Sequence, residues 1–142
     1  MVPTSSIAII GFNMFFGIAL PVALAIYFHV KYKARIASFF IGALAMFLFA
    51  FVLEQLVHVA VLGSSFGTVI QSNIYLYVLY GGLAAGLFEE TGRYAMMSVF
   101  LKNSKDEPQN ALMYGAGHGG LEMMILLTLG MLNNLIYSIN TF

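Results

Sequence analysis

The sequence has no cysteine and no tryptophan, only three prolines, and just 8% charged residues among its 142. Without cysteine there is no disulfide, thiolate metal site, iron–sulfur cluster or thiol nucleophile. A soluble domain carries about 25% charged residues. The shortage of charge therefore excludes an ordinary soluble protein, a disordered chain and a nucleic-acid binder. Six Lys and Arg balance six Asp and Glu, so no net field steers a charged partner. What is present is apolar: 61% of residues are hydrophobic, with 13 Phe, 8 Tyr and 9 Met, and the mean hydropathy is +0.89. The class that remains is an all-α protein, a polytopic transmembrane helical bundle whose first partner is the lipid bilayer.

A transmembrane helix needs about 20 mostly apolar residues. Residues 7–30, 36–62, 73–101 and 111–132 meet this, and they are expected to form one integral membrane domain over residues 1–142. The first stretch lacks the basic n-region and the small-residue cleavage site of a signal peptide. Lys31, Lys33 and Arg35 lie between spans one and two, and Lys102 and Lys105 between spans three and four. The positive-inside rule puts the basic loops 31–35 and 102–110 in the cytoplasm and both termini outside. The 63–72 segment is expected to be an outer loop, with Tyr75, Tyr77 and Tyr80 as an interfacial aromatic belt. Pro21 is expected to kink span one. The glycines at 81, 82, 86, 115, 117, 119 and 120 are read first as close-packing positions.

Five charged residues fall inside these spans: Glu54, Glu89, Glu90, Arg93 and Glu122. Each costs about 2.5–3.5 kcal/mol near the bilayer centre, even on the lenient insertion scale, so they call for a polar interior, a cavity or a metal. Glu54 and His58 are four apart, as are Glu89 and Arg93, and His118 and Glu122. Such pairs share a helix face. At a rise of about 1.5 Å per residue, Glu89 is roughly 18 Å and Arg93 roughly 12 Å from the cytoplasmic end of its span, against roughly 10 Å for His118 and 16 Å for Glu122. Glu54 and His58 come out higher, and a structural or interfacial role for them is as acceptable as a site role. The expected site therefore lies in spans three and four.

Two adjacent carboxylates cannot both stay ionised and unpaired in low dielectric. Arg93 can neutralise one of them, and the other can be a general base or coordinate a cation. Imidazole and carboxylates suit zinc, which generates a nucleophilic hydroxide at neutral pH. Without metal, Glu and His can activate water together. A strict Ser-His-Asp triad is excluded, because the only Asp, Asp106, sits in a polar loop.

Residues 88–94 read FEETGRY and residues 115–122 read GAGHGGLE. In this order, on consecutive spans, they resemble the YhfC family of intramembrane metalloproteases, a branch of the superfamily that includes CAAX prenyl proteases and bacteriocin-processing proteins. The resemblance implies a bacterial inner-membrane hydrolase that cleaves a peptide or membrane-protein substrate in or near the bilayer by intramembrane proteolysis. It implies that Glu89 activates water or binds metal, that Glu90 and Arg93 support it, and that His118 is a ligand or catalytic histidine beside Glu122. The implied metal set is Glu89, His118 and Glu122, holding zinc. Members of the superfamily usually carry a further His motif on a later helix, whereas no His follows His118 here. This chain thus resembles the N-terminal part of a longer fold, whose site a homo-oligomer or further helices would complete. The rival readings are a non-catalytic scaffold or immunity-type protein and a proton or ion carrier.

Overall fold

The computed structural model describes residues 3–102 and 107–140. Lys105 and Asp106 of the expected polar loop lie outside the described residues. Within them the chain is helical, without a strand. Helix α1 is Thr4–Tyr32, α2 is Ile36–Leu62, α3 is Ser65–Ser72 and α4 is Ile74–Phe100. The last helix, α5, joins Pro108–Met123, a π-helical stretch Met124–Leu129, and Gly130–Asn140. A second π-helical stretch, Phe47–Glu54, interrupts α2.

Three of these helices are long and apolar enough to cross a membrane: α1, α2 and α5 over Pro108–Ser138. At 27 residues, α4 is about 40 Å long at 1.5 Å per residue. That exceeds the roughly 30 Å hydrocarbon core. Glu89, Glu90 and Arg93 dilute its apolar character, and its role as a further span is a proposal.

Local chemistry explains the helix ends. Lys33 adopts a left-handed conformation (φ 58°), and its N–H reaches back to the Phe28 carbonyl. This stop is unusual without glycine. It is supported by the His29 ring N–H, which donates to the Ala34 carbonyl at 3.0 Å. The 63–72 segment corrects the expectation of a plain loop. Ser64 Oγ accepts the Gly67 N–H at 3.2 Å, and this cap starts α3. Asn73 Oδ1 caps α4 by accepting from Tyr75 N–H at 2.9 Å and Leu76 N–H at 3.3 Å. Pro108 occupies the first turn of α5, where its missing N–H costs nothing.

The chain divides into two compact units. One holds the residues up to Ala43 and those from Glu107 onward; the other runs from Leu44 through Lys102.

In the first unit, α1 and the start of α2 pack on α5. A Cβ on Gly42 would strike the backbone carbonyl of Tyr114, and a Cβ on Gly117 would strike that of Phe39. The two glycines thus let α2 and α5 meet backbone to backbone, the packing that small residues permit in membranes. Gly120 lies against the Pro21 ring and Gly17 against the Thr128 hydroxyl, both side-chain contacts. Buried Asn110 ties the two ends of this unit together. Its Oδ1 accepts the Arg35 N–H at 2.8 Å, and its Nδ2 donates to Glu107 Oε2 at 2.7 Å.

In the second unit, α2 from Leu44 onward packs with α3 and α4. A Cβ on Gly92 of α4 would come within 2.5 Å of the Phe49 ring. The other α4 glycines make no such contact among the described residues. A Cβ added at Gly81, Gly82 or Gly86 would meet nothing within 4 Å, and the same holds for Gly115 and Gly119 on α5.

Candidate active site

The FEETGRY block lies on α4. Its register is set by buried Gly92 against Phe49. That contact leaves Glu89 half-buried and Glu90 and Arg93 exposed. Arg93 forms an ion pair with Glu90, three residues before it. Of the two carboxylates open to it, the guanidinium thus takes Glu90. Glu89 makes no hydrogen bond or ion pair among the described residues. The two adjacent carboxylates are therefore divided: one is neutralised by Arg93, and the other is left with its lone pairs available.

The GAGHGGLE block lies on α5. His118 is buried, and its ring stacks on that of Tyr114 with centroids 6.0 Å apart and planes 19° apart. Gly42 of α2 lies against the His118 backbone N, where an added Cβ would come within 3.0 Å. The glycine at 42 thus lets α2 close over the turn that carries the histidine. Glu122, one turn on, is half-buried and lies just before the π-helical stretch. π-Helical turns are rare and often accompany functional positions.

Glu54 and His58 form the third pair. Glu54 is 7% exposed. Its Oε1 lies 3.1 Å from His58 Nε2, and His58 Nδ1 lies 2.8 Å from the Tyr80 hydroxyl. Of the three tyrosines expected in an interfacial belt, Tyr75 and Tyr77 are exposed, whereas Tyr80 is half-buried against His58. Its spacing of four from buried Ala84 and eight from half-buried Phe88 was the available signal.

Among the described residues, no three His, Asp or Glu side chains gather closely enough to hold a metal ion. Glu89 belongs to the second unit, and His118 and Glu122 to the first, and no reaction step is assigned to a metal.

No solved structure matches this chain. It is 39% identical over 140 residues to the uncharacterized membrane protein YhfC of Bacillus subtilis (strain 168). The match covers 97% of this chain and 54% of that protein, so the chain spans about half the length of its relative. The family model described as YhfC intramembrane metalloprotease matches residues 16–141. Nearly the whole chain, including both charged helical blocks, is covered by that match, and the chain belongs to the YhfC intramembrane metalloprotease family.

Proposed function

We propose that this chain is the site-bearing part of a membrane peptidase that hydrolyses a peptide bond in or near the cytoplasmic half of the bilayer, with α4 as a further membrane span. The observation that carries this reading is the division of labour between the two carboxylates of α4. Arg93 engages Glu90, which leaves Glu89 free to act. Glu89 takes a proton from a water molecule as that water attacks the scissile carbonyl carbon. The same proton then passes to the departing amine as the C–N bond breaks. Arg93 is a positioning residue that holds Glu90 in an ion pair. The roles given to His118 and Glu122 rest on their motif: the imidazole stabilises the oxyanion and Glu122 orients it. The family name points to a metal, and zinc is the ion that imidazole and carboxylate donors suit. The proton transfers are those of this chain's own groups.

The test is terminal proteomics of membranes from cells making the chain. New peptide termini are expected with the wild type. Glu89→Gln should lose them by about 10²–10⁴-fold, the usual contribution of a positioned general base. Glu90→Gln should retain part of the activity. Equal cleavage by wild type and Glu89→Gln would sink the assignment. The second reading is a non-catalytic scaffold. Under that reading no new termini appear with any version of the chain, while Glu89→Gln still lowers its yield in membranes.

A further inference from the structure

Glu54, His58 and Tyr80 belong to neither charged block and take no part in the proposed proteolysis. They nevertheless form a connected chain inside the second unit, running from α2 to α4. The donor directions follow from the groups themselves. An ionised carboxylate only accepts, so the proton of a neutral His58 ring sits on Nε2, 3.1 Å from Glu54 Oε1. Nδ1 is then an acceptor, and the Tyr80 hydroxyl donates to it at 2.8 Å. This order is a carboxylate that orients an imidazole, and an imidazole poised to take a hydroxyl proton. It is the general signature of an activated nucleophile. Here the nucleophile is a phenol.

The surroundings supply a place for a substrate. Two apolar hollows, of about 250 Å³ and 230 Å³, share Tyr80 and Leu83 as a wall. Val69, Ile70 and Leu79 line one, while Val57 and Leu87 line the other. Each is smaller than a drug-sized pocket and suits a short apolar acyl or aryl group. Tyr80 brings its ring to both linings, with its hydroxyl on His58.

We propose that Glu54, His58 and Tyr80 form a second catalytic unit, in which Tyr80 accepts an apolar acyl group from a thioester or an aryl ester. The phenol oxygen bonds to the acyl carbon. Its proton goes to His58 Nδ1 and then to the thiolate or aryloxide that leaves. Thiols and phenols have comparable acidity, so this exchange is nearly balanced, whereas transfer from an alkyl ester is uphill. Tyr80 and His58 are the reacting groups, and Glu54 is a positioning residue that fixes the tautomer.

An apolar arylsulfonyl fluoride reports on this directly. The phenol oxygen bonds to sulfur, the S–F bond breaks, fluoride leaves and His58 takes the proton. The whole chain in detergent micelles would be treated with the probe and the labelled tyrosines mapped by mass spectrometry. Half-buried Tyr80 should label about 100-fold faster than exposed Tyr77, the lower end of what a positioned general base supplies. His58→Gln keeps a hydrogen-bond acceptor but no base, and it should remove that advantage while helicity and elution volume stay the same. Glu54→Gln should lower the advantage in part. Tyr80 labelling no faster than Tyr77 in the wild type overturns the proposal, and so does undiminished labelling in a folded His58→Gln. The first comparison lies within the wild-type chain, so it decides the matter even if a variant fails to fold.

Discussion

At the residue scale, glycine separates into two populations that look alike in the one-letter code. Gly42 and Gly117 are pinned by a neighbouring backbone carbonyl, which has no rotamer to yield. Gly115 and Gly119 face open space. Gly117→Ala is therefore expected to destabilise the chain by about 1–3 kcal/mol, as overpacking does. Gly115→Ala should stay within about 0.5 kcal/mol of the wild type. Thermal unfolding in detergent, followed by far-ultraviolet circular dichroism, checks both. Equal melting temperatures would refute the backbone contact. The spacing of the GAGHGGLE block announced close packing but not which glycines make it. That depends on where Phe39 and Pro21 lie, and both come from elsewhere in the chain. Arg93 teaches the same lesson. A guanidinium on a long flexible stem reaches either the third or the fourth residue before it, so the spacing allowed Glu89 and Glu90 alike.

At the element scale, the features that sequence periodicity handles least well are the π-helical stretches. Each adds a residue to a turn and rotates the rest of its helix by roughly 100°. In α2 the stretch Phe47–Glu54 carries both Phe49, which covers Gly92, and Glu54, which holds His58. Deleting Leu48 would restore an ordinary turn and take these two contacts out of register. The deletion is expected to lower the melting temperature by several degrees, on the order of the 2–4 °C per kcal/mol seen in comparable chains. Leu48→Ala removes the same side chain without a register change and should cost less. If the two variants melt together, the π-helical register is not what holds α2 to α4. The other elements were largely legible. Apolar runs of more than twenty residues marked α1, α2 and α5, since no other backbone arrangement satisfies its own polar groups in lipid so simply. The short helix α3 was missed because eight residues carry little periodicity, and only the Ser64 cap distinguishes them from a loop.

At the scale of the whole molecule, the lack of cysteine becomes an experimental advantage. Single cysteines introduced at Ser5 and Lys33 can be labelled with a membrane-impermeant maleimide against an unreactive background. The positive-inside rule leads us to expect Ser5→Cys to label in intact cells and Lys33→Cys only after permeabilisation. The reverse pattern would invert the topology and move the α4 carboxylates toward the opposite face.

The first unit also has a history in time. Its α1 and the start of α2 leave the ribosome early, yet the α5 residues that receive Gly42, Pro21 and Gly17 are Tyr114, Gly120 and Thr128, far later in the chain. At about 5–20 residues per second, the two halves wait roughly 4–22 s for each other, and the second unit is complete before they meet. For that interval the small-residue seam of the first unit is open to lipid or to the insertion machinery. Asn110, whose partner Arg35 lies 75 residues upstream, is the first of the α5 contacts to leave the ribosome. Translation speed through residues 44–103 is thus a variable that can alter the yield of folded protein without altering a single native contact.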